Sequence, residues 1–153
     1  MSVELRPATL ADLKAILDID PIADREERRH DYVSRAIRGE HDRDVRVLIV
    51  DEELVGYAIM GEFFGHPFLE RIATAQAHRR LGVASALMAN IEVGFEGDRM
   101  FVSTNESNET MRDLLIKRGY RVSGMVENLD PGDPELFFVI FKAAIEAQIE
   151  AAP

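Results

Sequence analysis

Apolar residues recur along this chain with two spacings, one typical of strands and one typical of helices. Short runs rich in β-branched and aromatic residues predict strands at 3–8, 45–50, 54–64, 68–75, 100–104, 120–126 and 136–141. Apolar residues at helical spacing predict helices at about 9–19, 27–38, 83–95 and 108–118. The acidic segment 51–53 between the second and third strands is typical of a hairpin turn.

The first helix has a recognisable start. Thr9 and Asp12 resemble a capping pair, in which each side chain binds a backbone group of the other residue. We expect the buried face of this helix to consist of apolar residues at helical spacing: Leu10, Leu13, Ile16 and Leu17. The pattern predicts a helix that ends at Asp20, before a proline.

The alternation of strands and helices indicates one mixed sheet flanked by helices, an α/β (α+β mixed) fold class. No internal repeat or linker interrupts the 153 residues, and a chain of this length buries about 68–70% of its unfolded surface. We therefore predict a single domain over 1–142. Residues 143–153 form a short C-terminal tail, either a frayed helix or disordered.

Composition excludes several classes of function. The formal net charge is −10 and the pI is about 4.8, which argues against a nucleic-acid partner because phosphate binding requires clustered cations. The absence of cysteine excludes a disulfide framework, a thiolate metal site and a thiol nucleophile within these residues. The N-terminus lacks the pattern of a signal peptide and the apolar runs are short, so we expect a cytoplasmic protein with no membrane partner.

One basic turn stands out in this acidic chain, at "AHRRLGVASALM" over 77–88. A helix N-terminus presents unpaired amides and a partial positive charge, and Gly82 would let an anion approach the backbone closely. Arg79 and Arg80 add charge, and the small Ala84 and Ser85 leave room. The turn lacks the signatures of a Walker loop and of a dinucleotide fingerprint. An ordinary glycine turn with two solvated arginines is the alternative.

The order of elements resembles the GCN5-related N-acetyltransferase (GNAT) superfamily over nearly the whole chain. "RPATLADL" looks like its opening strand and helix, "RRLGVA" fits its acyl-CoA signature, and "NETMRDLLIKRGY" looks like its later asparagine-containing segment. The resemblance implies a central mixed, mostly antiparallel β-sheet flanked by helices and splayed between the fourth and fifth strands. It also implies that the anion at the glycine turn is the pyrophosphate of coenzyme A.

The resemblance implies direct transfer of an acetyl group from acetyl-CoA, as cosubstrate, to a primary amine in a ternary complex. The backbone N–H of Thr74 is the expected catalytic donor to the thioester oxygen. Asn108 is expected to reach the coenzyme, although Asn is also a favoured helix cap. The implied coenzyme-binding residues are Thr74, Arg79, Arg80, Leu81, Gly82, Val83, Ala84, Ser85 and Asn108.

The catalytic base is less well defined. Some members of the superfamily place a catalytic glutamate early in the long strand, and this position matches Glu70. The alternative is a solvent-facing glutamate beside Arg71. Glu62 and Glu127, at the ends of neighbouring strands, are other candidates for the base. His66 and His78 are expected in loops, and no cluster at ligand spacing predicts a metal.

The acid is where the chain departs from the superfamily. Many members carry a tyrosine where this chain has Leu115, and leucine cannot donate a proton. The thiolate could leave unprotonated, or a hydroxyl from the later strand and loop could replace the tyrosine: Ser103, Thr104 or Ser107. The departure keeps open a non-catalytic coenzyme-A-binding sensor or partner domain. A nucleotide-binding regulatory domain is a third possibility.

The acceptor is not specified by the sequence. The resemblance places the loop "ENLDPGDPE" over 127–135 on the acceptor side, and its carboxylates would attract a cationic small-molecule amine. A solvated acidic turn is the plainer interpretation. A polyamine, an aminoglycoside, an amino acid and a protein N-terminus all stay open. The apolar run 135–141 either forms an edge that pairs in a homodimer or belongs to the core.

Overall fold

The computed structural model describes residues 2–20, 27–79 and 81–152. For residues 27–29 it describes the backbone only. The strands are β1 (Val3–Pro7), β2 (Asp44–Val50), β3 (Glu53–Phe63), β4 (His66–Thr74), β5 (Arg99–Asn105), β6 (Arg121–Val126) and β7 (Glu135–Phe141). The helices in this part of the chain are α1 (Leu13–Ile19), α2 (Glu27–Ile37), α3 (Val83–Gly94), α4 (Glu109–Lys117) and α5 (Lys142–Ala151). Most predicted elements are therefore present, within a few residues of their expected ends.

The seven strands form one sheet in the order β1-β2-β3-β4-β5-β7-β6. The pairs β1–β2, β2–β3, β5–β7 and β6–β7 are antiparallel. β4 and β5 are parallel, and their recorded pairing covers only Phe68 with Phe101 and Leu69 with Val102. The predicted fold class, a mostly antiparallel sheet that opens between its fourth and fifth strands, is confirmed.

The chain divides into two compact units. The first unit contains Met1–Glu62 and Glu70–Ile91, and the second contains Phe63–Leu69 and Glu92–Pro153. The domain limits 1–142 and 143–153 remain a prediction.

In the first unit, α1 and α2 pack on one face of the β2–β3 hairpin. The side chains of this core are Ile16, Leu17, Val33, Ala36, Val45, Val47, Leu54, Tyr57 and Ile59. The expectation for Leu10 was wrong, because this side chain is 47% exposed. Leu10 lies in a short 3-10 helix (Leu10–Asp12) before α1, where the 3.6-residue period does not yet apply.

A second core cluster of the same unit joins the sheet to α3. Its members are Leu48, Val55, Ala75, Val83 and Leu87. Val47 and Leu48 are neighbours in β2 yet belong to different clusters, as expected when successive side chains of a strand point to opposite faces. Both faces of this part of the sheet are therefore covered, and the start of α3 is anchored to it.

In the second unit, β7 lies between β5 and β6. The idea that the apolar run 135–141 is an edge was wrong, because this run is the interior strand β7. The edge strand is β6, and all six of its residues are exposed. Met100, Val102 and Phe138 are each at most 1% exposed, so one face of this part of the sheet is buried.

The last helix, α5, covers most of the predicted C-terminal tail. Ile145 is 6% exposed and packs into the protein. Lys142, at the start of α5, donates from Nζ to three carbonyls at and just after the end of α3: those of Glu92 at 3.2 Å, Val93 at 3.1 Å and Phe95 at 2.9 Å. A cation at the C-terminal end of a helix satisfies carbonyls that have no partner within the helix.

Candidate functional site

The basic turn of the sequence leads directly into α3. Gly82 has a φ of +81°, in the left-handed region that favours glycine, and a Cβ added there would meet nothing within 4 Å. Its carbonyl accepts from the N–H of Ala86 at 2.9 Å, the first bond of the helix. The amides of Val83, Ala84 and Ser85 precede that bond, so they are the orphan donors of the helix N-terminus.

Side chains around this turn leave it accessible. Arg79 is exposed, and Leu81 is 70% exposed. Val83 is buried and fixes the helix to the core, whereas Ala84 and Ser85 are half-buried. Arg80 lies outside the described residues. The turn thus combines open backbone donors with the exposed side chain of Arg79, as an anion site requires.

His78 lies just before this turn. Its N–H donates to the carbonyl of Ala75 at 2.9 Å. Its ring atom Nδ1 is buried and has no hydrogen-bond partner within the described part of the chain. The side chain of His78 is thus partly enclosed within the fold.

The end of β4 carries the predicted backbone donor. The N–H of Ala75 donates to the carbonyl of Val55 in β3 at 2.8 Å, so that amide is already used. Backbone groups of successive strand residues point to opposite sides, which directs the N–H of Thr74 away from β3. The recorded pairing on that other side of β4 stops at Leu69. Among residues 73–75, Thr74 therefore has the amide best placed to bind an incoming oxygen.

Glu70 is not the solvent-facing glutamate of the alternative interpretation. Its Oε2 accepts from the hydroxyl of Tyr32 at 2.8 Å and from Nε of Arg43 at 2.8 Å. The carboxylate packs over Gly61 so closely that a Cβ there would lie 2.7 Å from Cδ and Oε1 of Glu70. Burial and the nearby carboxylate raise the pKa of Tyr32, so its hydroxyl stays protonated and donates.

Arg71, the neighbour of Glu70, belongs to a separate buried cluster. Its Nε and Nη2 donate to the two carboxylate oxygens of Asp20 at 2.8 and 2.7 Å, and the Tyr57 hydroxyl donates to Asp20 at 2.5 Å. Asp20 is 2% exposed. Burial, followed by the bond to Asp20, raises the pKa of Tyr57. These partners are 37 and 51 positions apart in sequence, and no local pattern predicts them.

Asn108 and Leu115 belong to the second unit, where Asn108 caps the helix α4 and Leu115 lies on its buried face. Asn108 is the N-cap, and its Oδ1 accepts from the N–H of Met111 at 3.1 Å. The cap interpretation is therefore realised, and the coenzyme role of Asn108 stays a prediction. Leu115 is 0% exposed, so the position at which the resemblance leads us to expect a tyrosine is part of the core here.

Hydrogen bonds connect the acidic loop between β6 and β7 to the end of β5 and to the residues that follow it. Asn105 donates to Asp130 at 2.9 Å, and the Ser107 hydroxyl donates to Asp133 at 2.6 Å. At the start of β7, Oε2 of Glu135 accepts from the Ser103 hydroxyl at 3.2 Å.

Glu135 has an unusual environment. Its Oε1 is buried and has no hydrogen-bond partner in the described residues. Burial raises the pKa of Glu135, the Ser103 bond opposes that shift, and the charges of Asp130 and Asp133 add to it. The sequence shows the acidic loop but does not indicate which of its carboxylates is enclosed.

The predicted site residues are divided between the two units. Glu70, Thr74 and the described residues of the turn are in the first unit, and Asn108 is in the second. The alternative bases Glu62 and Glu127 are both exposed. In 2–20, 27–79 and 81–152, no group of three or more His, Asp or Glu side chains is placed to hold a metal ion. No helix in these ranges combines the length and the apolar character needed to cross a bilayer.

Comparison with known proteins connects these features to a family. The model of the acetyltransferase (GNAT) family matches residues 10–120. A GNAT-family acetyltransferase from Bacillus cereus ATCC 10987 is 31% identical, with a TM-score of 0.81 over 93% of this chain and 99% of its own. No curated protein matches the chain in sequence.

More distant structures share the fold. The ribosomal-protein-S18-alanine N-acetyltransferase of Escherichia coli is 16% identical, with a TM-score of 0.77 over 92% of this chain and 94% of its own. An aminoglycoside 6′-N-acetyltransferase complexed with coenzyme A is 14% identical, with a TM-score of 0.77 over 93% and 97% of the two chains. Since the family match spans most of the sequence, from the first helical turn to the end of the α4 segment, the chain belongs to the GNAT family of acetyltransferases.

Proposed function

We propose that the protein is an N-acetyltransferase that moves the acetyl group of acetyl-CoA to a primary amine within a ternary complex. The acceptor nitrogen forms a bond to the acetyl carbonyl carbon, the C–S bond breaks, and the amine gives up one proton. The products are an N-acetyl amide and coenzyme A. The observation that carries the proposal is the open glycine turn at the start of α3, in a chain of the GNAT family.

The glycine turn fits the pyrophosphate of acetyl-CoA. The left-handed Gly82 places no side chain in front of the orphan amides of Val83, Ala84 and Ser85. Arg79 and Arg80 add positive charge at this turn in a chain whose formal net charge is −10, and Leu81 lies between them and the glycine. When bound there, acetyl-CoA supplies an activated acyl group as a thioester.

Thr74 is the donor that we assign to the thioester oxygen. Negative charge develops on this oxygen as the amine attacks, and a fixed backbone N–H stabilises it without reorganisation. The direction of the Thr74 amide, away from β3, supports this role. Asn108 would contribute a contact to the coenzyme besides capping α4.

Glu70 is the base that we assign. Tyr32 and Arg43 both donate to Oε2, which fixes the carboxylate and leaves Oε1 as the atom to receive the proton of the amine. Gly61 allows this placement because any side chain there would collide with Glu70. Tyr32 and Arg43 are therefore positioning residues of this proposal.

Position 115 offers no tyrosine to protonate the departing sulfur. The Leu115 side chain is buried and carries no acidic proton. A thiolate is a tolerable leaving group, because the ordinary pKa of a thiol is about 8.5. We propose that coenzyme A leaves as the thiolate and takes its proton from water.

Ligand-dependent stability tests the coenzyme site. Acetyl-CoA at about 100 times its dissociation constant should add about 2.7 kcal/mol to the unfolding free energy, whereas ATP at the same concentration should not. Gly82→Val should abolish this shift. Gly65→Val is the matched control, because Gly65 has a φ of +79° and equally open surroundings but lies in another turn. An equal shift in both variants, or no shift in the native protein, contradicts the proposal.

Turnover separates the enzyme from a second candidate, a coenzyme-binding domain without catalysis. The buried Leu115 is the observation that favours this candidate. Release of free thiol from acetyl-CoA should depend on a primary amine and should fall at least about 100-fold in Glu70→Gln, the size of a typical general-base contribution. Binding of acetyl-CoA without thiol release across an amine panel would favour the sensor instead.

A further inference from the structure

An aromatic surface lies on one part of the second unit. The ring of Phe63 stacks on Phe137 with centroids 5.2 Å apart, and it is 5.4 Å from the rings of both Phe68 and Phe101. These four side chains, which we call the aromatic surface, are all partly exposed. Phe64 extends the surface from its edge, with its ring 4.8 Å from Phe63, and is 87% exposed.

The strand register places this surface beside Glu135. Ser103 lies opposite Phe137, and Asn105 lies opposite Glu135, in the antiparallel β5–β7 pair. Cross-strand partners share a face, as do residues two apart in one strand. Phe101, Ser103, Phe137 and Glu135 therefore lie on one face of the sheet, and the Ser103–Glu135 hydrogen bond confirms that they do.

The opposite face of the same strands is the buried one. Met100 and Val102 alternate with Phe101 and Ser103 and are at most 1% exposed. The rings of the aromatic surface therefore lie on the less buried face of β5, and Val139, the cross-strand partner of Phe101, is 7% exposed on that face.

Glu135 gives this face a charge that its surroundings do not balance. Its recorded hydrogen bond comes from a neutral hydroxyl, its Oε1 is enclosed without a partner in the described residues, and its charged neighbours are Asp130 and Asp133. An enclosed carboxylate among carboxylates is complementary to a cation, and partly exposed aromatic rings are complementary to another ring or to a cation.

We propose that this face captures the acceptor, and that the acceptor is a small arylalkylamine. Its ammonium pairs with Glu135 on binding, before Glu70 takes the proton, and its ring lies on the aromatic surface beside Phe137. Side chains two apart on one strand lie roughly 7 Å from each other, which suits an ammonium and a ring joined by a short alkyl spacer. The inference rests on the proposed acetyl transfer for its meaning, but the binding can be measured without it.

A polyamine or an aminoglycoside would use only part of this face. Such molecules present cations or hydroxyls but no aromatic ring, so they would lack the ring–ring contacts with Phe63, Phe68, Phe101 and Phe137. Recognition of both an apolar ring and one ammonium selects against amines that lack the ring.

Titration calorimetry on the full chain tests the proposal with 2-phenylethylamine as the probe. Propylamine, which lacks the ring, and 2-phenylethanol, which lacks the ammonium, should each bind at least about tenfold more weakly, and so should spermidine. Acetyl-CoA is left out of this experiment, so its result does not depend on turnover. Equal or tighter binding of propylamine or spermidine would overturn the proposal.

Variants locate the site. Glu135→Gln should weaken 2-phenylethylamine about tenfold or more, and Phe137→Leu should weaken it several-fold while leaving propylamine unchanged. Phe141→Leu is the matched aromatic control, because its ring lies on the same strand but is covered by Arg99 and Arg121, 4.9 Å from each guanidinium carbon. Glu146→Gln, at an exposed position of α5, is the carboxylate control.

The outcomes distinguish this inference from the proposed function. If acetyl-CoA stabilises the chain but 2-phenylethylamine binds no better than propylamine, the acceptor inference fails and the coenzyme proposal stands. If 2-phenylethylamine binds and acetyl-CoA does not, the coenzyme proposal fails and the binding of an arylalkylamine at this face stands. Equal loss of binding in Phe137→Leu and Phe141→Leu also contradicts the assigned surface. A melting curve for each variant shows that it is folded, and Phe137→Tyr, which keeps the ring, should retain binding.

Discussion

Glu92 and Glu135, two glutamates of the second unit, have opposite surroundings. Glu92 is 5% exposed and accepts from Nε and Nη2 of Arg118 at 2.9 and 2.6 Å and from the Tyr120 hydroxyl at 2.9 Å. Glu135 has one oxygen bonded to Ser103 and the other enclosed without a partner in the described residues.

The difference separates a carboxylate that holds the fold together from one that can bind a ligand. A buried charge is tolerated when a counter-charge and hydrogen bonds replace water, and Glu92 has both within the protein. Burial and the neighbouring carboxylates raise the pKa of Glu135, which means that the protein does not fully compensate its ionised form. An incoming ammonium would compensate it.

The largest expected effect is on stability at Glu92. Glu92→Ala leaves the Arg118 guanidinium and the Tyr120 hydroxyl without their acceptor inside the fold, which should lower the unfolding free energy by about 3–5 kcal/mol. Urea denaturation measures this loss. A change below about 1 kcal/mol would mean that Glu92 is no better integrated than Glu135, and the contrast between them would disappear.

Asp20 provides the same test in the first unit. Asp20→Ala removes the bidentate partner of Arg71 and the acceptor of Tyr57. The Arg71 side chain is 26% exposed, so water can replace part of the lost contact. We expect the unfolding free energy to fall by about 3 kcal/mol. Unaltered thermal melting of this variant would show that the cluster does not stabilise the fold.

A smaller effect is expected when only the neutral donor to Glu92 is removed. Tyr120→Phe deletes one hydrogen bond but leaves the Arg118 pair and the shape of the ring in place. The expected loss is about 1 kcal/mol, again from denaturant unfolding. A loss as large as that of Glu92→Ala would assign the stability of the cluster to the tyrosine and not to the ion pair.

The smallest effect on stability is expected at Glu135, and its sign is opposite. The pKa of Glu135 in the folded protein is raised above its ordinary value of 4.5 in the unfolded chain. Between these two pKa values the folded protein binds more protons than the unfolded chain, so the unfolding free energy falls as the pH rises from the ordinary pKa to the raised one. Glu135→Gln has no charge to enclose. Its melting temperature should equal or slightly exceed that of the native protein at neutral pH, and the gain should vanish below the ordinary pKa.

A melting series from pH 3 to 8 with both proteins checks this sign. A variant that is less stable than the native protein at neutral pH would place Glu135 with Glu92, as a structural carboxylate. Stability that is kept while binding of 2-phenylethylamine is lost would establish the contrast between the two residues.

Local patterns account for most of the fold. The apolar and polar periods locate the β2–β3 hairpin, the helix after Gly82 and the antiparallel pair at the end of the chain, because each depends on residues close in sequence. Leu10 shows where this reasoning fails, because a 3-10 turn replaces the first turn of the expected helix.

Side-chain partners across the fold are a different matter. The glycine turn could be identified because its residues are contiguous, and Glu70 could be chosen as a candidate by position. The hydrogen bonds from Tyr32 and Arg43 to Glu70 could not be predicted, because these residues are 38 and 27 positions away and no spacing in the sequence indicates which glutamate they would contact. The enclosure of Glu135 likewise depends on the β5–β7 register, which no spacing in the sequence specifies.

Lys142 has a consequence for the protein's own chemistry. The proposed use of acetyl-CoA would expose the chain's own amines to an activated acyl group, and lysines stand at positions 14, 117 and 142. The Lys142 side chain donates to three carbonyls at and just after the end of α3, so an acyl donor cannot approach its nitrogen without displacing these contacts. Lys14 is 88% exposed and Lys117 is also exposed. After prolonged incubation with acetyl-CoA, mass spectrometry should find self-acetylation at 14 and 117 while Lys142 stays unmodified.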